Sequence, residues 1–309
     1  MASLRPAFTL IELLVVMVII SILASLSLAG LRGSRQRSKI EKTKSTIRKI
    51  DNALRPMFDS YRTRRFNTAS IADPTSAQCS KCYTGSTLNT LSAAQWKKLI
   101  ATRNAMVVDM PDCWEDVPTR LSDIPTYAQS AAVKAYIASA STARRAANGS
   151  AETLFLIASR SGYDPEALEE FRNDETADTD GDGATEFIDG WGKPIIFLRW
   201  APGFLKPMSP IQEADADTLH DPLDPMKLDY DASDRTKTGY ALMPLIVSGG
   251  PDEATALTVL SGGWLAAAGT PPVLSTIVVK DGSKLIGSAA SDNPTGYRDN
   301  ITNHDLIKK

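Results

Sequence analysis

Apolar residues run almost unbroken from Phe8 to Leu31 (FTLIELLVVMVIISILASLSLAGL), 24 positions in which Glu12 is the only charge. As a helix rising about 1.5 Å per residue, this segment is roughly 36 Å long and spans a bilayer with some tilt. Beyond Gly30 and Gly33, where the helix is free to loosen, the pattern changes. Ile40, Ile47, Ile50, Leu54, Phe58 and Tyr61 follow at steps of 7, 3, 4, 4 and 3, which sets them on one helical stripe. The run is short for a coiled-coil arm, so the stripe is expected to pack on a head domain, with Pro56 as a kink or end. Residues 67–90, rich in Ser, Thr, Asn and Asp, read as loop. Helices are expected near 92–106, 126–147, 150–161 and 164–173, with Ser92, Ser150 and Asp164 as N-caps; the Ala-rich stretch 131–147 reads as ordinary surface helix. Strands are expected at 193–200, 239–248 and 275–287, the last turning at Asp281-Gly282. Helices followed by antiparallel strands make an α+β body.

Composition (309 residues, 43% hydrophobic, 23% charged, 7% aromatic) excludes a disordered tail, a collagen and a polytopic membrane protein. The formal charge of −2 hides an asymmetry: residues 1–65 hold thirteen Lys/Arg against four Asp/Glu, so they carry +9 and the rest −11. Because the basic residues directly follow the apolar run, a membrane explains them before nucleic acid does, and no nucleic-acid partner is expected. A secretory signal peptide cut before Gly30 is the competing reading of the amino terminus, with Arg5 as its basic region and Ser27 and Ala29 at the small-residue positions. Against it stand an apolar run longer than the usual signal core, the charge at Glu12 and the helix that continues beyond. A carboxylate in lipid is costly unless partnered, so Glu12 calls for a partner.

Ala7-Phe8-Thr9-Leu10-Ile11-Glu12-Leu13-Leu14 resembles the cleavage and methylation motif of type IV prepilins and type II secretion pseudopilins. In that family a prepilin peptidase cuts before the Phe and methylates its new amino group, and the Glu pairs with a neighbouring subunit's amino terminus in the filament. The resemblance therefore implies cleavage between Ala7 and Phe8, N-methylation at Phe8 and an assembly role for Glu12; the family normally has Gly where this chain has Ala7. Asp189-Gly190-Trp191-Gly192-Lys193-Pro194 is similar to the signature that introduces the sheet of major pseudopilins. Leu245 to Asp252 (LIVSGGPD) is similar to their strand and Gly-Pro-Asp loop, and Asp299 to Asn303 to their carboxyl-terminal element. About 100 residues between stalk and sheet have no counterpart in the compact members. The implied fold is type IV pilin-like, with a leader (1–7), a transmembrane helix (8–31), an amphipathic stalk (32–65), a mainly helical insertion (66–175) and a β-rich head (176–309). The implied partners are prepilin peptidase, other pseudopilin subunits and the inner-membrane secretion assembly platform. The amino terminus is then cytoplasmic and the head periplasmic. The basic residues after the apolar run, counted alone, give the opposite orientation, a cytosolic body on an anchor.

Asp178, Asp180 and Asp182 occupy positions 1, 3 and 5 of an EF-hand-type loop, with Gly183 at 6, the carbonyl of Ala184 at 7, Glu186 at 9 and Asp189 at 12. Eleven Asp/Glu and one Arg lie within residues 164–189, a crowding that a calcium ion would relieve; the bland reading is a solvated acidic turn. Gly190, Gly192 and Pro194 oppose an exiting helix, so the loop is expected between helix and strand. The pseudopilin resemblance implies a rival calcium site at Asp252 and Asp299. Cys79, Cys82 and Cys113 support one bridge, whose pairing, within the first two or to Cys113, the sequence leaves open; a zinc site lacks the second pair of ligands, with His220 and His304 remote. Trp191, Trp200 and Trp264 read as packing residues. Lys237-Gly239 and Ser291-Asn293 imitate penicillin-binding elements, but there is no SxxK, and no other catalytic motif is present, so no enzyme is expected. An adhesive type IV pilin or a membrane-anchored binding module is the alternative to a secretion subunit.

Overall fold

A computed structural model describes residues 9–76, 78–140, 148–162, 166–212, 221–228, 243–259, 280–281 and 284–307. Thr9 caps the first helix in a reciprocal box: its hydroxyl accepts the Glu12 N–H, and the Glu12 carboxylate accepts the Thr9 N–H. Helix α1 then runs for 51 residues, Leu10–Ser60, roughly 77 Å at about 1.5 Å per residue. It passes through Gly30 and Gly33 without a break, and Pro56 lies within it instead of ending it. Asn52 and Pro56 are both exposed, so the carbonyl that loses its partner to the proline faces water. The anticipated stripe is the buried face: Ile47, Ile50, Leu54 and Tyr61 are buried, and Ile40 and Phe58 pack against them.

The helices of the middle region differ from expectation where a side chain has other work. Helix α2 (Thr90–Asp109) starts two residues early because Asn89, not Ser92, accepts the first free amides. The span 126–147 divides into a 3-10 turn at Thr126–Ala128 and α3 (Ala131–Ser139), capped by Ser130; residues 141–147 lie outside the described residues. Helix α4 (Gly149–Arg160) follows Asn148. Ser150 does not cap it, since its hydroxyl donates to the Phe197 carbonyl at 2.6 Å and accepts the Phe197 N–H at 2.9 Å. The helix expected at 164–173 is a short 3-10 turn, Ala167–Glu170, and Asp164 is outside the described residues.

The strand expected at 193–200 is shorter than the alternation suggests, and residues 239–242 and 275–279 of the other two expected strands lie outside the described residues. Small hairpins are formed by β1 (Tyr83–Thr84) with β2 (Thr87–Leu88), within the segment expected as loop, and by β3 (Thr176–Ala177) with β4 (Glu186–Phe187). The main sheet takes β5 (Ile196–Leu198), β6 (Leu245–Ser248) and, near the carboxyl end, β9 (Ile301–Thr302), all antiparallel in the order β5-β6-β9. Between them lies the hairpin β7 (Lys280–Asp281) with β8 (Lys284–Leu285); Gly282 of its expected turn is outside the described residues. A one-turn helix, α5 (Asn303–Leu306), closes the described chain. Helix α1 packs on β6, β9 and α5, and α4 packs on β4 and β5 beside α3. One hydrophobic cluster joins α1, the middle helices and the sheet, so the region expected as an insertion shares the head's core.

Arg199, at the end of β5, binds the middle region to the sheet. Fully buried, it donates to the carbonyls of Val107 (3.0 Å) and Met110 (2.6 Å) at the end of α2 and pairs with Asp116 (2.9 Å) and Asp112 (3.4 Å). Its guanidinium lies 4.9 Å from the Trp200 ring centroid. Burial pushes the Asp116 carboxyl up to about 7, with Arg199 opposing. Arg199→Leu removes the cation and leaves buried carboxylates behind; it is expected to lower unfolding free energy by about 3–5 kcal/mol, read from denaturant melts.

His304 is buried beside the sheet. Its Nε2 is 3.1 Å from the Pro244 carbonyl and its Nδ1 is 3.0 Å from the Ser209 hydroxyl. A carbonyl only accepts, so Nε2 carries the proton; Ser209 Oγ accepts two amides, from Ile211 and Gln212, and donates to Nδ1. Both nitrogens are satisfied in the neutral ring, and burial pulls its pKa from 6.5 down to about 4. The folded value lies below the unfolded one, so this stabilisation is complete above about pH 6.5 and fades as pH falls toward 4. Unfolding measured at pH 5 is expected to show about 2 kcal/mol less stability from this group than at pH 7, with His304→Gln giving a shallower dependence.

Candidate functional site

Two regions carry the candidate chemistry: the amino-terminal end of α1 and the β3–β4 hairpin. On α1, large apolar residues from Leu10 to Leu23 are exposed on every side of the helix, a pattern that calls for lipid or neighbouring helices around it. Glu12 Oε2 accepts both the Thr9 N–H (2.9 Å) and the Thr9 hydroxyl (2.8 Å), while Oε1 makes no hydrogen bond among the described residues. The carboxylate is thus held by its own helix start. Ala7 and Phe8 lie outside the described residues. Among the described residues no helix is long and apolar enough to cross a membrane; of the span expected at 8–31, residue 8 and the side chains of 26–30 are not described.

The acidic hairpin is anchored at its base by α1. Lys42 pairs with Asp174 at 2.8 Å and Lys49 with the buried Glu175 at 2.7 Å. Thr46 and the Arg172 N–H also donate to Glu175. Burial alone would raise the Glu175 pKa, but these donors and Lys49 hold it below the usual carboxylate range. At the tip, Asp178 accepts the amides of Gly181 (2.7 Å) and Gly183 (3.0 Å), and Asp182 accepts that of Ala184 (2.7 Å). Gly181 and Gly183 have φ of +79° and +90°, conformations that favour glycine. Glu186 accepts the Thr179 N–H at 2.9 Å, and Asn148, just before α4, donates to the Thr179 hydroxyl at 2.9 Å.

The expected loop residues do not all converge. Oxygen atoms of Asp178, Asp180 and Asp182 lie within 4.8 Å of one another, and so do those of Asp180, Glu186 and Glu152. Glu152 comes from α4, 26 positions before the loop, where no local spacing points to it. It is 2% exposed and takes the Trp114 indole N–H on Oε2. Burial pushes its carboxyl up to about 7, opposed by the Trp114 hydrogen bond and reinforced by Asp182, Asp180 and Glu186; burial raises Glu186 as well. Asp189, the expected twelfth-position ligand, is separate from this group. Its Oδ1 accepts the amides of Trp191 (2.8 Å) and Lys193 (3.0 Å), and its Oδ2 accepts the Ser248 hydroxyl at 2.7 Å. The chain turns here into the Ile188–Pro194 bridge, so Asp189 organises the entry to the sheet.

Asp252 and Asp299 do meet, although 47 residues apart: the Asp252 N–H donates to Asp299 Oδ2 at 3.1 Å, and Asp252 Oδ1 takes the Ala254 amide. Each loop carboxylate is thereby engaged by backbone. Cys79 and Cys82 form a disulfide across one 3-10 turn, with Cα atoms 5.3 Å apart. Of the pairings left open, this one leaves Cys113 as a free thiol, its pKa raised by burial and then by Asp116 and Asp112. The nearby Asp112, Cys113 and Asp116 cluster already has Arg199 as its cation. Trp200 is buried, and Trp191 packs on the core with the Lys39 ammonium 5.9 Å from its ring centroid; Trp264 is outside the described residues.

Residues 5–28 match the family described as the prokaryotic N-terminal methylation motif, which supports a type IV prepilin-like protein. No curated protein and no solved structure gives a significant match to the chain.

The turn that Asp189 holds also meets α1. The Gly190 N–H donates to Thr43 Oγ1 at 2.9 Å, and a Cβ on Gly190 would strike the Lys39 backbone. Gly192 has φ +82° but open space around it. Gly190→Ala is therefore expected to lower head stability by about 3 kcal/mol, and Gly192→Ala by only about 1 kcal/mol, when the two are compared in denaturant.

Proposed function

We propose that this protein is a structural subunit of a type II secretion pseudopilus, made as a membrane-inserted prepilin, cut between Ala7 and Phe8 and N-methylated at Phe8. The observation that carries the reading is the methylation-motif match over residues 5–28, placed on an apolar helix that continues into the head as its packing face. In the membrane the apolar turns are surrounded by lipid; in a filament, neighbouring copies of the same helix take its place. Glu12, held in the single subunit by Thr9, gains a charged partner when the methylated ammonium of an adjacent subunit reaches it. Prepilin peptidase, sister subunits and the inner-membrane assembly platform are the partners this reading requires, with the head on the periplasmic side.

A secretion subunit is favoured over an adhesive pilin by the sheet. The three stretches similar to major pseudopilins, at 189–194, 245–252 and 299–303, are remote in sequence. They nevertheless meet as the entry to β5, the strand β6 with its following turn, and β9. The Ser248–Asp189 and Asp252–Asp299 hydrogen bonds fasten them to one another.

Intact mass and amino-terminal sequencing of the protein from native membranes are expected to give a chain beginning at N-methylated Phe8; a start at Gly30, or an uncut Met1, rejects the proposal. Glu12→Ala is expected to leave membrane insertion intact and abolish filament assembly, scored by cross-linking between subunits, whereas Thr9→Ala, which loses only the cap at about 1 kcal/mol, retains assembly.

A further inference from the structure

Three buried carboxylate oxygens at the β3–β4 hairpin have no hydrogen-bond partner among the described residues: Glu152 Oε1, Asp182 Oδ2 and Glu186 Oε1. Glu152 and Glu186 are 2% and 0% exposed. Neither they nor Asp178, Asp180 and Asp182 form an ion pair with any described Lys or Arg, while the neighbouring Asp174 and Glu175 both do. A buried acceptor without a donor is costly, and several carboxylates facing one another without a cation are costlier still.

We propose that Glu152, Asp178, Asp180, Asp182 and Glu186 bind a calcium ion between α4 and the β3–β4 hairpin, with Glu152 supplying the ligand that the loop pattern assigned to Asp189. The donor set is all oxygen, which selects a hard cation and disfavours zinc or copper. Calcium accepts six to eight oxygens in irregular arrangements, whereas magnesium requires a near-ideal octahedron and retains its waters. The loop is shaped in advance: Asp178 takes the Gly181 and Gly183 amides, and Asp182 Oδ1 takes that of Ala184, which leaves Asp182 Oδ2 for the ion. Trp114 does the same for Glu152 by holding Oε2 and leaving Oε1. Glu152 belongs to the middle helices and the other four ligands to the hairpin, so the ion fastens those two parts of the head together. This site is independent of the filament reading and of the Asp252–Asp299 pair.

The test uses the full-length protein in detergent, stripped with EDTA and titrated with calcium, magnesium and terbium. Calcium is expected to raise the melting midpoint by several degrees through preferential binding to the folded state, with magnesium giving a clearly smaller shift. Terbium is expected to luminesce on tryptophan excitation, because Trp114 adjoins the site, and calcium to quench that signal by displacement. Glu152→Gln keeps the side-chain shape and removes one repelling charge. It should melt higher than the wild type without calcium yet bind calcium at least about tenfold more weakly. Asp180→Asn, at an exposed position, should weaken binding similarly without threatening the fold, and Asp189→Asn should leave calcium affinity unchanged. Calcium binding by Glu152→Gln equal to wild type, or its loss in Asp189→Asn with retention in Glu152→Gln, overturns the assignment of ligands. An equal response to magnesium overturns the assignment to calcium, and the absence of both a melting shift and terbium emission overturns the site.

Discussion

The head depends on the last third of α1 being a surface that two different partners use at once. Ile47, Ile50, Leu54, Met57 and Tyr61 are buried on a helix whose earlier turns are exposed, so the same helix presents bare apolar side chains at one end and packs on its own core at the other. The sheet reaches this surface through β6, β9 and α5, and the middle helices reach it through α4. Polar contacts then fix the alignment that apolar packing alone leaves loose. The Thr43–Gly190 bond, the Lys42–Asp174 and Lys49–Glu175 pairs, and Asn303 donating to Asp51 at 2.9 Å all run along the stripe. Each is local to one side of the helix, and together they prevent the head from sliding by a turn.

Electrostatics divides the acidic segment into two parts with different solutions. Asp174 and Glu175 lie over the basic face of α1 and are neutralised by Lys42 and Lys49. The carboxylates only a few residues later are carried away from α1 by β3 toward α4, where Trp114 and backbone amides are the donors at hand. Neutral donors satisfy individual oxygens but do not cancel net charge. Lys42 and Lys49 therefore neutralise only the near edge of this acidic segment. Arg199 shows the contrasting arrangement, in which a buried cation was placed among Asp112 and Asp116 by the strand itself.

Much of this was legible in the residues because it was periodic or local. The stripe from Ile40 to Tyr61, the α+β order and the loop positions of Asp178, Asp180 and Asp182 all follow from spacing along the chain. Helix starts were misplaced where a hydroxyl or amide had a tertiary partner: Ser150 serves Phe197, and Asn89 captured the start of α2. Pro56 did not end α1, because its neighbours' freed backbone faces solvent. The acidic centre was half visible. A twelve-residue loop pattern assumes that the chain leaves the loop as a helix, and here Gly190, Gly192 and Pro194 turn it into a strand, so Asp189 faces Ser248 and the turn amides. Glu152 could not be found by spacing at all, since only the packing of α4 against β4 brings it near.

The unbroken course of α1 through Gly30 and Gly33 makes the helix a fixed angular reference as well as a stalk. Each residue turns an α-helix by about 100° and advances it by about 1.5 Å, so the number of residues between Glu12 and Ile47 sets the compass bearing of the head relative to the end of the rod. Lengthening the rod by a single residue would swing the whole head about a quarter of a circle around the axis while scarcely raising it. In any assembly built by stacking such rods, the handedness and spacing of the heads would then be encoded by a residue count along α1.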